Sequence, residues 1–254
     1  MTHWFKSLRL SITLLAGFLT IISFKLVHHL GQALLPTIVV IVIACATMVQ
    51  NDWRDRINDR KKGKTLAYDK SHHFFLWVIL WWGAAIALVV YGWRTDPAFG
   101  ILPTLAILVG MVYSEIRRIP LISLLLTALT SAGPVLFPTF LGFGSPLLIW
   151  LFIVTFVLIL SREVIKDIDD VMIDRGYKKT LPILVGVFKA RIIASLLIVG
   201  SGLIAWMVFN LWIELPLLLC VILYLVTYSD PETTKQWLDF GILAALIQLF
   251  FTAQ

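Results

Sequence analysis

Long apolar runs, each closed by a short polar connection, recur along the whole chain. Nine can be counted, at residues 8–27, 34–50, 74–93, 101–113, 121–143, 147–161, 192–210, 215–228 and 237–251. Many approach the roughly 20 residues that a helix needs to cross a bilayer. Several contain Gly or Pro, which membrane helices tolerate when neighbours re-satisfy the backbone. The pattern predicts an all-α polytopic membrane protein. We expect nine transmembrane helices around a central cavity open to the cytoplasmic side, with residues 1–254 as one transmembrane domain.

The connections set the orientation. Nineteen Lys and Arg fall at the N-terminus and in the even-numbered connections, while Lys25 and Arg94 alone fall on the other side. Positive charge marks the cytoplasmic face. The N-terminus is therefore expected inside and the C-terminus outside, in a bacterial or archaeal plasma membrane rather than an organelle.

Composition agrees. Hydrophobic residues make up 59% and charged residues 14%, against about 25% charged in soluble domains. The net charge of +6 follows from the positive-inside bias, so no nucleic-acid partner is expected. Cys45 and Cys220 lie inside apolar runs and read as buried small side chains, not a disulfide framework. Lys6 and Arg9 ahead of the first run resemble a signal peptide, but no small-x-small cleavage site follows and a retained helix is expected.

One polar stretch occurs twice. Shifted by 115 positions, Asp52, Asp55, Asp59, Arg60, Lys64, Thr65 and Leu66 fall on Asp167, Asp170, Asp174, Arg175, Lys179, Thr180 and Leu181. Each copy follows a long apolar run, the second and the sixth, and both face the cytoplasm. Four helices separate them, so the stretches at 51–66 and 166–181 define a parallel internal repeat. Such a repeat can place two similar helix ends opposite each other. On a helix, acids at i, i+3 and i+7 share one face. Each copy thus offers three carboxylates along one side of a helix end. Asp169 points away from that face.

Same-face carboxylates repel unless a cation sits among them. Hard divalent cations take oxygen ligands, and Mg2+ bridges carboxylates to phosphate oxygens while keeping waters. The negative end of a helix dipole also favours a cation. The flanking bases Lys64, Arg162, Lys166, Lys178 and Lys179 can hold phosphate. Acids, metal and bases at the mouth of a greasy bundle suit a substrate with a diphosphate head and a hydrocarbon tail. Salt-bridged, solvated loops would account for one copy, but less readily for two in matching register on the same side.

These residues resemble the UbiA superfamily of intramembrane prenyltransferases. Asn51, Asp52, Asp55 and Asp59 match its first acidic pattern. The second stretch, Arg162-Glu163 through Lys166-Asp167, Asp170 and Asp174 with Lys179-Thr-Leu-Pro182 behind it, looks most like the branch that includes geranylgeranylglyceryl phosphate geranylgeranyltransferases. The resemblance implies that Asp52, Asp55, Asp59, Asp167, Asp170 and Asp174 bind two Mg2+ ions, which hold the diphosphate of an isoprenyl donor. Ionisation then gives an allylic cation for a lipophilic acceptor to capture. It implies diphosphate-binding roles for Asn51, Lys64, Tyr113, Arg117, Arg162, Lys166 and Lys179. Tyr113-Ser-Glu-Ile-Arg117 matches a family Tyr-xxx-Lys with Arg in the basic place, which keeps charge but changes geometry. Arg9 resembles a basic residue of the family's first helix, followed here by Leu10 and not Pro. Ser123-Leu124 stands where members near this branch often have Gly-Asn.

Three functions follow from such a site. The first is prenyl transfer. The second is cyclisation of the prenyl diphosphate without an acceptor, as in UbiA-type terpene synthases. The third is cation transport, which the charge-free middles of the nine spans count against. Trp77, Trp81 and Trp82 could line a cavity and stabilise a cation through their ring faces, or mark the membrane interface. The pairs His28-His29 and His72-His73 read as interface residues. Glu115 reads as a base toward an acceptor proton or as a partner of Arg118.

Overall fold

A computed structural model describes residues 2–60, 65–116, 119, 121–174, 179–212, 218–219, 221–222, 225 and 230–252. Helices make up the fold, with no strand among the described residues. In chain order they are α1 (Thr2–Lys6), α2 (Leu10–Leu26), α3 (Leu34–Asp59), α4 (Leu66–Asp69), α5 (Ser71–Thr95), α6 (Pro97–Ile116), α7 (Ile122–Ala132), α8 (Phe137–Phe140), α9 (Pro146–Asp169), α10 (Val171–Asp174), α11 (Leu181–Val185), α12 (Val187–Phe209) and α13 (Pro231–Thr252).

Among the described residues, five segments are long and apolar enough to cross a membrane: Leu34–Ile57, Ser71–Thr95, Ile122–Phe140, Pro146–Asp169 and Val187–Phe209. Leu10–Leu26 and Pro97–Tyr113 are apolar but shorter. The first seven expected spans and the ninth fall on described helices, while most of the eighth, 215–228, lies outside the described residues. α13 is apolar only in its second half, because Glu232, Lys235 and Asp239 occupy the first.

Helix ends follow local chemistry. Ser145 caps α9 by accepting from the Leu147 N–H, and Pro146 opens it with the fixed φ of a first-turn residue. Asp230 accepts from the N–H and the hydroxyl of Thr233 at the start of α13. The Thr233 hydroxyl bond first, then its N–H, holds the Asp230 carboxyl below the usual carboxylate range. The fifth expected span is not one regular helix. Gly133 and Pro134 open a 3-10 turn, Gly133–Leu136, between α7 and α8. Pro134 has no N–H to give the preceding turn.

The helices form two compact units, Met1–Ser114 with Phe137–Phe143, and Glu115–Leu136 with Gly144–Gln254. Each unit carries one acidic stretch. In the first, α3 packs on α2 and α5. Its core includes Phe24, Val39, Ala46, Val49, Phe74, Val78, Ala85 and Phe137. α5 is apolar all round. Phe74, Val78, Ala85 and Val89 are buried while Leu76, Ile79, Leu80, Ile86 and Val90 are exposed. Water would oppose so large an apolar outer face, whereas lipid accepts it. In the second unit α9 is central, packed against α7, α12 and α13.

Beneath the first acidic stretch a polar link ties three helices together. The Trp82 indole on α5 donates to Gln50 Oε1 on α3 at 2.6 Å, and Gln50 Nε2 donates to the Met111 carbonyl of α6 at 3.1 Å. Gly110 lets this contact close, since a Cβ there would lie 2.9 Å from the Thr47 hydroxyl and 3.1 Å from the Trp82 ring. Gln50→Leu should strand the buried indole N–H and cost about 1–3 kcal/mol. Thermal unfolding of the detergent-solubilised protein would show a lowered midpoint. An unchanged midpoint would remove the link from the stabilising contacts.

Candidate active site

The first acidic stretch lies on one continuous helix. α3 runs without a break from its apolar body through Asn51, Asp52, Asp55 and Asp59. All four are half-buried. The three aspartates stand at i, i+3 and i+7, so they line one face over about 10 Å. Asp52 accepts a 2.8 Å ion pair from Arg9. Arg9 is not inside the first long helix as the sequence implied. It precedes α2 with φ 47° and ψ 52°, and this left-handed conformation sits at the helix start. Neighbouring bases stack on aromatic rings: Arg56 lies 4.6 Å from the Trp53 ring centre, and Arg60, just past Asp59, lies 4.5 Å from that of Tyr68.

The second stretch differs. α9 ends at Asp169, Asp170 caps it with φ −84° and ψ 0°, and α10 begins at Val171. Its three acids are therefore spread over α9, its cap and α10 and do not stand on one unbroken helix. A physical difference accompanies this. Arg54 and Arg56 interleave the first acids, but no base stands between Asp167 and Asp174. Four carboxylates gathered at the negative end of a helix dipole oppose its continuation. Asp167 and Asp170 are half-buried and Asp169 is exposed, 3.9 Å from Lys235. The side chain of Asp174 lies outside the described residues.

Of the expected phosphate-binding bases, Arg162 is committed to carboxylates. Its Nε and Nη2 hold Asp239 Oδ1 and Oδ2 at 2.5 and 2.8 Å, and its Nη1 lies 3.4 Å from Glu163. Lys166 donates to Glu163 at 2.7 Å. Tyr113 is half-buried near the end of α6, and Lys179 is exposed. Lys64, Arg117, Arg118 and Lys178 lie outside the described residues, as do Cys220 and the side chain of Glu115. Asp239 was missed by sequence reasoning. An acid at the edge of an apolar run was the available signal, because such a charge needs a partner.

The other singled-out residues have structural places. Trp82 is buried and bonded to Gln50. Trp77 and Trp81 are half-buried and meet edge to face at 5.6 Å, with Trp4 packed against Trp77 and Phe74. His29 stacks on Phe143, and His72 meets His73 edge to face. Cys45 is buried and free.

Among the described residues, no three His, Cys, Asp or Glu side chains converge to hold a metal ion by themselves. A row of aspartates along α3 still fits Mg2+. One or two carboxylates hold such an ion, and water and phosphate oxygens complete its octahedral shell.

No curated protein matches the sequence. Solved structures do. A digeranylgeranylglyceryl phosphate synthase is 19% identical with a TM-score of 0.66, covering 100% of this chain and 99% of that one. A UbiA homologue from Aeropyrum pernix K1 is 13% identical with a TM-score of 0.76, over 92% and 96% of the two chains. A UbiA homologue from Archaeoglobus fulgidus, bound to GPP and Mg2+, is 16% identical with a TM-score of 0.64, over 98% and 99%. These likenesses establish a shared fold. The model of the UbiA prenyltransferase family matches residues 10–248, nearly the whole chain. With its apolar helices, the chain is an integral membrane protein, and it belongs to the UbiA prenyltransferase family.

Proposed function

We propose that the protein is an Mg2+-dependent intramembrane prenyltransferase. It moves a prenyl group from an isoprenyl diphosphate to a lipophilic acceptor. The observation that carries this reading is the duplicated acidic stretch, one copy at the end of α3 and one at the end of α9. Family membership supports it, as does the GPP and Mg2+ bound by the Archaeoglobus homologue.

In this reading Asp52, Asp55, Asp59, Asp167, Asp170 and Asp174 hold two Mg2+ ions. The ions, when bound, supply positive charge for the leaving diphosphate. Asn51, Lys64, Tyr113, Arg117, Lys166 and Lys179 bind phosphate oxygens. Arg162, through its pair with Asp239, supports this end of α9. The allylic C–O bond breaks and its electron pair leaves with the diphosphate. An acceptor oxygen or carbon forms the new bond to the allylic carbon and loses a proton. The chain is read as one domain of two parallel halves, with nine spans around a cavity open to the cytoplasm.

Purified protein with Mg2+, farnesyl or geranylgeranyl diphosphate and a panel of lipid-soluble acceptors should give a prenylated acceptor and free diphosphate. Failure of every donor to react would remove the reading. Cyclisation without acceptor is the second reading. It draws on the Trp4, Phe74, Trp77 and Trp81 cluster of the first unit, whose rings could face a cation.

Orientation is tested separately. With the N-terminus cytoplasmic and the C-terminus outside, cysteines placed at Lys61 and Lys178 should resist an impermeant thiol reagent in sealed, right-side-out cells. One at Gln254 should react. Labelling at 61 or 178 would overturn the arrangement.

A further inference from the structure

Two ion pairs of opposite sense join α9 to α13. Arg162 of α9 holds Asp239 of α13 through both carboxylate oxygens. Seven residues on, Asp169 of α9 lies 3.9 Å from Lys235 of α13. As α9 advances from 162 to 169, α13 runs back from 239 to 235, as two antiparallel helices require. A shift of either helix along the other would bring like charges together. The stronger pair continues inward along α9: Asp239, Arg162, Glu163 and Lys166 alternate in charge, with the Glu163 carboxylate between Arg162 and Lys166. This chain stops one residue before Asp167. The Arg162 and Glu163 side chains are only 13% and 10% exposed. The Asp239 side chain itself is 38% exposed, but its two parallel N–H···O bonds from Arg162 fix geometry as well as charge.

We propose that Asp239 is a positioning residue for the second metal-binding stretch. It acts through Arg162 to fix the end of α9, and so the placement of Asp167, which the ion pairs at 162 and 169 flank, and of Asp170 one residue beyond. The inference rests on the reading that Asp167 and Asp170 hold Mg2+. Partners that orient carboxylate ligands tune metal affinity without touching the ion.

The test uses the full chain in detergent, with Mn2+ as the probe and inorganic pyrophosphate present, and binding read by electron paramagnetic resonance. Asp239→Asn should weaken Mn2+ binding about 10-fold, and Asp239→Glu, which keeps the charge, should recover most of it. Gly92→Ala is the control for lost stability. It crowds Phe99 in the first unit, where a Cβ would lie 2.1 Å from the ring, and touches neither α9 nor α13. It should lower the thermal midpoint while leaving Mn2+ affinity intact. Wild-type affinity in Asp239→Asn would overturn the positioning role and leave the metal reading standing. Equal weakening by Asp239→Asn and Gly92→Ala would reduce Asp239 to a stability residue. A wild-type protein that takes up no Mn2+ would overturn both the metal reading and this inference.

Discussion

Asp55→Ala and Asp170→Ala should each lower diphosphate release from a prenyl diphosphate by at least about 100-fold, the scale on which removal of one transition-state stabiliser acts. EDTA should do the same to the native protein. Repulsion between carboxylates sets the requirement for a cation. Asp52, Asp55 and Asp59 line one face of α3, and a diphosphate brought to them adds further negative charge. Without a divalent cation neither approach nor ionisation is favourable. Arg9 neutralises Asp52 in part through the 2.8 Å pair. Asp55, one turn on, is therefore the sharper position for substitution. Asp170 caps α9 and is followed at once by α10, so its replacement removes a carboxylate without deleting a residue from a helix interior. Thermal midpoints near the native value would show that the fold survives. Near-native turnover of either variant at saturating Mg2+ would sink the two-stretch site.

Much of this was legible in the sequence, for physical reasons. A run that must bury its own backbone hydrogen bonds in lipid can only be helical, so the expected spans fall on α2, α3, α5, α6, α9, α12 and α13, with ends that differ by up to nine residues where a helix runs on into its polar flank. The break at Gly133-Pro134 was visible as residues but not as an interruption. The acidic repeat was legible because spacing and register are linear properties. What spacing could not give was the state of the helix around it. Identical offsets produce one continuous helix through Asp59 and a capped end at Asp170, and the interleaved arginines mark the difference. Partnerships distant along the chain were also out of reach. Gln50 with Trp82 and Met111, and Arg162 with Asp239, join residues that only packing brings together. Arg162 accordingly read as a phosphate ligand, when its guanidinium is held by two carboxylates.

Incubation of the purified protein with Mg2+ and a prenyl diphosphate, but no acceptor, should yield little beyond slow hydrolysis to the alcohol. Transfer and cyclisation begin with the same bond cleavage, so the acidic stretches cannot separate them. The difference lies in what meets the cation. A transferase holds an acceptor oxygen or carbon at attack distance in a partly polar pocket. A cyclase needs a closed, aromatic-lined chamber that excludes water and folds the chain. The tryptophans of α5 were one pointer to such a chamber, and the structure weakens it. Trp82 is buried in helix packing with its indole bonded to Gln50. Trp77 packs against Trp4 as well as Trp81. Two half-buried rings remain where three were counted. Lys179-Thr-Leu-Pro182 behind the second stretch leans the same way, toward transfer. Adding a competent lipid-soluble acceptor should then convert slow hydrolysis into rapid release of diphosphate with a prenylated product. Efficient formation of a cyclic hydrocarbon or cyclic alcohol in the acceptor-free reaction would reverse the order of the two readings. The Asp55→Ala and Asp170→Ala variants should lose that product as well, because ionisation precedes both fates.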